Sequence, residues 1–153
     1  MAPLQSRGWA DLPKRKIDGL DVWPLISRLP GATNPHESYW FYYEVNQLQA
    51  VTTADGKWKL QLPHTYQTLA GGSGGRDGVP APYSHVKLDR EALYDLVHDI
   101  GEITDVSAQH PDIVKRLEAE AEKARADLGD ALTNRPGPGH REPGRLAPPL
   151  SGN

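Results

Sequence analysis

Apolar and aromatic side chains in residues 39–62 form two runs typical of β-strands, and the second run follows the two-residue period of a strand. Residues 57–62 alternate polar and apolar positions, and the preceding run is rich in aromatic and β-branched residues, which fit a pleated, half-buried surface. The dipeptide Asp55-Gly56 separates the two runs, and Gly tolerates the positive φ of a tight turn. The pattern predicts two or three antiparallel strands with one packed face and one wet face.

A helical pattern begins near Pro111 and ends at Gly129. Its apolar positions recur every three or four residues and form one stripe: Ile113, Leu117, Ala121, Ala124 and Leu128. The other faces carry charges of opposite sign at i,i+3 spacing. Such a helix would be about 27 Å long, enough to cross three or four strands. The small alanines would let its backbone approach the sheet closely.

The remaining segments carry weaker patterns. Residues 93–96 predict a further short strand, and residues 22–26 form a short apolar segment after a turn. The Gly-rich run 70–78 lacks the Lys-Ser/Thr that ends a phosphate-binding loop, so it predicts a flexible surface loop. Residues 62–69 are interpreted as the end of the hairpin, at Pro63, and the approach to this loop.

These elements predict an α+β fold, a small antiparallel sheet of about four strands packed by one long C-terminal helix. Residues 1–16 show no periodicity and are interpreted as an irregular N-terminal segment. Residues 17–132 hold the predicted sheet and helix. Residues 133–153 are rich in Pro and Gly, which predicts an irregular tail.

Composition narrows the possible partners. Hydrophobic residues are 37% of the 153, and the mean hydropathy is -0.62, so the ordered core is expected to be smaller than the chain. The formal charge of -3 argues against a nucleic-acid or membrane partner, since either would favour a basic patch. The absence of Cys excludes disulfides and cysteine nucleophiles. No apolar run approaches the ~20 residues of a membrane span, and the N-terminus lacks the apolar core of a signal peptide.

Few residues point to chemistry on their own. The six histidines are scattered, without a second ligand at metal-site spacing. The acidic residues Asp95, Asp99, Glu102 and Asp105 are better explained by turn and capping roles than by a calcium loop. His64 is the exception, because it follows a strand end, where a rigid scaffold often holds functional side chains. On the residues alone, an ordinary exposed histidine is the default interpretation.

Four ordered segments resemble formylglycine-dependent arylsulfatases. Residues 17–26 resemble the family's I-D-G-x-D-x-x-P-L-L segment, and residues 49–51 with 56–60 resemble its A-V-R-x-G-x-W-K-L strand pair. Residues 93–105 resemble the L-Y-D-L-x-x-D-P-x-E-x-x-D-L signature, and residues 109–114 match the helix start that follows it. The chain departs from the family at two structural positions, with Thr52 in place of Arg and Ile100 in place of Pro.

The resemblance implies a subdomain rather than a complete enzyme. In this family a large α/β domain of the alkaline-phosphatase type holds a Cys-x-Pro-x-Arg motif, whose Cys or Ser becomes formylglycine, and the ligands of a calcium ion. The hydrated aldehyde attacks sulfur, and calcium steadies the charge. This chain lacks that motif and resembles the family's smaller C-terminal subdomain, a four-stranded antiparallel sheet with one long helix. Family members often place a pocket-facing histidine at the position of His64, which implies that His64 contacts substrate.

The sequence therefore predicts the C-terminal part of an arylsulfatase, a sulfuric ester hydrolase unable to catalyse alone. Its expected partner is a catalytic domain, in cis or in trans, through which a small sulfate ester would be bound. Formylglycine and calcium are expected in that domain. The first 13 residues do not resemble the family, which predicts a truncated reading frame or an isolated fragment. Two alternatives are a stand-alone, non-catalytic binding module and a fragment of a related phosphoryl hydrolase. The family is often exported, but the sequence leaves the compartment and the substrate open.

Overall fold

A four-stranded antiparallel sheet with a long helix across one face forms the centre of the protein. The computed structural model describes residue 14 and residues 17–141. In chain order the helices and strands are α1 (Trp23–Ile26), β1 (Ser38–Tyr43), β2 (Gln47–Thr53), β3 (Trp58–Gln61), β4 (His64–Thr68), β5 (Ser84–Leu88), β6 (Ala92–Asp95), α2 (Pro111–Leu128), β7 (Gly129–Asp130) and β8 (Arg135–Pro136). The main sheet has the strand order β1-β2-β3-β6. This architecture confirms the predicted α+β class.

The predicted hairpin is formed by β2 and β3. Val51 pairs with Leu60 in an antiparallel register, and Gly56 adopts a φ of 71° in the turn between the strands. The carboxylate of Asp55 accepts hydrogen bonds from the Lys57 amide, at 3.0 Å, and from the neighbouring Thr53 hydroxyl. The structure therefore confirms the tight turn that the Asp55-Gly56 pair predicts.

The core lies between this sheet and α2. Its buried residues come from both elements: Leu48, Val51, Trp58, Leu60, Leu62, Leu93, Leu117, Ala121 and Ala124. The alternation in residues 57–62 predicts that Trp58 and Leu60 lie beside the helix stripe or on the opposite packed face of the sheet, and the structure places both in the core cluster with the helix residues. The two alanines are completely buried, since small side chains let the helix backbone approach the strands.

The C-terminal end of α2 is locked to the sheet. Gly129 ends the helix with a φ of 79°, and a Cβ added there would lie 2.6 Å from the Arg135 carbonyl oxygen. Only glycine therefore fits where β7 pairs with β8. Tyr42 reinforces this junction, because its hydroxyl lies 2.8 Å from the Gly129 carbonyl. Burial, with a further contribution from nearby Asp130, raises the pKa of Tyr42 to about 12, so the hydroxyl remains a donor.

A separate two-stranded ribbon differs from the prediction. β4 pairs with β5, whereas residues 62–69 were interpreted as the approach to a loop. The strands are mostly exposed on both faces, so their sequences lack the alternation that marks a half-buried strand. The Gly-rich run 70–78 lies in the connection between them and is exposed throughout, as a surface loop should be.

The terminal segments are only partly described. The predicted N-terminal segment 1–16 lies outside the described residues except for position 14, as does the C-terminal tail beyond residue 141. The described part of the tail contains the two-residue strand β8. Within the part of the chain that the structure describes, no helix is both long and apolar enough to cross a membrane.

Candidate functional site

His64 begins β4 and is held by the chain immediately before it. Its Nδ1 atom lies 2.6 Å from the Leu62 carbonyl oxygen, which can only accept a hydrogen bond. Nδ1 therefore carries a proton, and Nε2 is the ring atom left to contact a ligand. The residue is only 7% exposed, so the alternative of an ordinary exposed histidine is wrong. The Tyr66 ring packs at 5.6 Å between ring centroids and limits the movement of the imidazole.

A cleft of about 330 Å³, here called the His64 cleft, lies beside this residue. Phe41 and Gln61 line it from the sheet, and Tyr66 lines it from β4. Phe41 and Gln61 are both cross-strand neighbours of Ala50. The next residue, Val51, pairs with Leu60, and that pair faces the helix. Because side chains alternate along strands, the cleft lies on the sheet face opposite α2.

A carboxylate organises two polar side chains in this region. Glu102 Oε1 lies 2.7 Å from Lys59 Nζ, and its Oε2 accepts a 2.7 Å hydrogen bond from Gln61 Nε2. Both Lys59 and Gln61 line the His64 cleft. The Lys59 ammonium also lies 5.5 Å from the centre of the Phe41 ring. The cleft thus offers an ammonium, an amide and an imidazole, groups suited to an oxygen-rich ligand.

The sequence predicts a turn or capping role for Glu102, and this prediction is wrong for its side chain, which binds Lys59 and Gln61 instead. The residue has a φ of 54°, and its side chain reaches β3 in place of the local backbone. Its contacts join positions 43 and 41 residues apart in sequence, so no local pattern could reveal them. A non-glycine residue with positive φ often marks a functional position, but only the structure shows it here.

The other members of the acidic cluster have the predicted turn and capping roles. Asp95 accepts a hydrogen bond from the Val97 amide, and Asp99 accepts from the amides at positions 103 and 104. Asp105 accepts from the amides of Leu93 and Ser107. Burial alone would raise the pKa of Asp105, but these hydrogen bonds outweigh it and lower the pKa. Among the described residues, no group of three or more His, Asp or Glu side chains could hold a metal ion.

A second, larger cleft of about 640 Å³ adjoins the first and was not predicted. It shares Tyr43, Gln49 and Tyr66 with the His64 cleft, and Tyr83 also lines it. We call it the tyrosine cleft. Its residues come from segments far apart in sequence, so their convergence could not be inferred from spacing.

The sheet face around these clefts is aromatic and partly exposed. Tyr39, Phe41 and Tyr43 are each between 42% and 58% exposed, whereas Trp40 and Tyr42 pack against the core. A second apolar surface lies around α1, where Ile26 is 61% exposed. Residues 22–26 and 39–43 hold more large apolar side chains than one helix can cover, so the sequence makes both stretches candidates for surfaces that face a second domain. Their outward side chains are consistent with that hypothesis.

The chain was compared with known proteins in two ways. A scan against models of protein families and a search of curated proteins each give no match to the chain. The arylsulfatase hypothesis therefore depends on the four motif segments and on the geometry around His64.

Proposed function

We propose that this chain is the C-terminal part of an arylsulfatase, which packs on a catalytic domain and shapes its substrate pocket. The observation that carries the proposal is the position of His64. Its Nδ1 is bound by the Leu62 carbonyl, and the residue lines a cleft on the aromatic sheet face. The four motif segments support the same assignment, because they occur in the family's order along residues 14 to about 130.

In this proposal the chain contributes binding and orientation, not the reacting groups. His64 Nε2 would contact an oxygen of the sulfate ester or of its alcohol portion. Lys59 would add positive charge that Glu102 partly neutralises, since the two side chains form a 2.7 Å ion pair. Formylglycine and calcium would be supplied by the catalytic domain and would provide the nucleophile and the charge stabilisation at sulfur.

The chain alone is expected to show no hydrolysis of nitrophenyl sulfate, with or without calcium. It contains no Cys, and none of its serines begins a Ser-x-Pro-x-Arg motif. The measurement is the release of nitrophenol by purified chain. The matched control is the His64→Ala variant, which should give the same background rate. Robust turnover that the variant reduces would contradict the assignment of the chemistry to another domain.

A reassembly experiment tests the positive part of the proposal. The DNA immediately upstream would be sequenced and any polypeptide containing Cys/Ser-x-Pro-x-Arg would be produced with this chain. We expect the two to copurify and hydrolyse a sulfate ester. His64→Gln should then raise KM more than it lowers kcat, since it removes a substrate contact. The proposal is wrong if the reassembled pair forms but hydrolyses no sulfate ester, or if no polypeptide with this motif, encoded upstream or elsewhere, binds the chain.

The alternative is a stand-alone binding module, and one observation favours it. Between the sheet and α2, the described residues form a buried core of their own. An independent domain needs such a core. The two proposed functions predict different behaviour of the exposed aromatic face in the isolated chain.

The isolated chain is expected to self-associate and to bind a hydrophobic dye. Phe41 is 47% exposed on the aromatic face, and such patches on a protein are often interaction sites. Phe41→Gln should lower both dye fluorescence and the associated fraction in analytical ultracentrifugation. The control Val45→Gln changes an 82% exposed residue in the neighbouring turn and should change neither. A monomeric, dye-silent, cooperatively unfolding wild-type chain would favour the stand-alone module.

A further inference from the structure

The tyrosine cleft is lined by two separate parts of the fold. One side carries Tyr43, Glu44, Gln47 and Gln49, where β1 turns into β2, and the other carries Tyr66 and Tyr83 from the ribbon and its connection. The three tyrosines are 58%, 41% and 58% exposed, so their rings are available to a ligand. A volume of about 640 Å³ falls within the range of small-molecule sites, roughly 300–1,000 Å³.

A hydrogen-bonded row of polar side chains lines the same cleft. Gln49 Nε2 donates to Gln47 Oε1 at 3.0 Å, and Gln47 Nε2 lies 3.4 Å from Glu44 Oε2. Each amide has two N–H donors and an oxygen with two lone pairs, so one contact in the row does not exhaust its capacity. The row therefore presents both donors and acceptors, already oriented by their neighbours. Hydroxyl groups, which donate and accept, match such a surface.

The charge of the cleft selects among possible ligands. Glu44 contributes a carboxylate and His85 an imidazole, and among the described residues no lysine or arginine lines the cleft. A phosphate, a sulfate or a nucleic-acid backbone would thus meet a negative charge without a lysine or arginine to compensate it. A neutral ligand with hydroxyl groups along its edges and apolar C–H faces meets no such penalty. The C–H faces of sugar rings pack on aromatic faces, which carry negative charge density.

We propose that the tyrosine cleft binds a neutral oligosaccharide, with sugar faces on the tyrosine rings and sugar hydroxyls on the Gln49–Gln47–Glu44 row. The site adjoins the His64 cleft but differs from it in charge, since Lys59 lines only the latter. The proposal does not rest on the arylsulfatase assignment. It concerns binding by this chain alone and applies equally to a stand-alone module.

The test is calorimetric titration of the isolated chain with neutral hexasaccharides of β-linked glucose, xylose, mannose, galactose and N-acetylglucosamine. Saturable binding of at least one of them is expected. Tyr83→Ala should weaken that binding about tenfold, equivalent to about 1.4 kcal/mol. Tyr83 lies outside the strands and is largely exposed, so its replacement leaves the fold intact. Gln47→Leu should weaken binding as well, because it interrupts the polar row.

The matched control is Tyr39→Ala, which removes a tyrosine of similar exposure that does not line either cleft. It should bind the hexasaccharide as the wild type does. A sulfated version of the same hexasaccharide should bind more weakly, because Glu44 opposes its charge. The proposal is overturned if no neutral hexasaccharide binds at millimolar concentration, or if Tyr83→Ala and Tyr39→Ala have equal effects.

Discussion

Replacing Leu117 with alanine is expected to lower the free energy of unfolding by about 2–5 kcal/mol. Leu117 is 1% exposed and belongs to the core cluster with Trp58 and Leu60. Truncation would remove apolar contacts and leave a cavity between α2 and the sheet, which rigid strands cannot fill by collapsing. Urea denaturation followed by tryptophan fluorescence would measure the change.

Leu69→Ala provides the matched control for this prediction. Leu69 is 48% exposed in the ribbon connection, and the same atoms are removed without opening a core cavity. Its replacement should change the free energy of unfolding by less than about 0.5 kcal/mol. A Leu117→Ala effect as small as that of the control would show that α2 does not pack on the sheet through this stripe.

The elements that are visible in the sequence are those that bury one face and expose the other. β3 has one buried and one wetter face, so Trp58 and Leu60 alternate with polar residues and the strand is visible in the sequence. The stripe on α2 is visible for the same reason, since Leu117, Ala121 and Ala124 are its buried residues. The ribbon contributes little to the core, and its residues therefore carry no periodic signal.

The candidate site was predictable only in part. His64 could be singled out because it follows a strand end, and the structure places it on the wall of a cleft. Its burial, its hydrogen bond to Leu62 and the reach of Glu102 to Lys59 depend on tertiary geometry. The tyrosine cleft was missed entirely. It requires β4 and β5 to pair, and that pairing was itself absent from the prediction.

Asp130→Ala is expected to lower the free energy of unfolding by about 3 kcal/mol. Asp130 is completely buried, and its Oδ2 lies 3.0 Å from Arg125 Nε. Its Oδ1 accepts hydrogen bonds from the amides of Leu132, at 3.0 Å, and Leu48, at 3.3 Å. One carboxylate thus joins the end of α2, the turn after it and the start of β2. Alanine would leave two amides and a largely buried guanidinium without this acceptor.

Two further variants separate the parts of this effect, with denaturant unfolding as the measurement for each. Asp130→Asn keeps an oxygen for the two amides but turns an N–H group towards Arg125, so an intermediate loss of stability is expected. Glu122→Ala removes the other carboxylate that contacts Arg125, at 2.7 Å, but Glu122 is 54% exposed. Solvent weakens such a pair, so this variant should cost less than about 1 kcal/mol. If Asp130→Ala costs no more than Glu122→Ala, the buried carboxylate does not hold the helix end to the sheet.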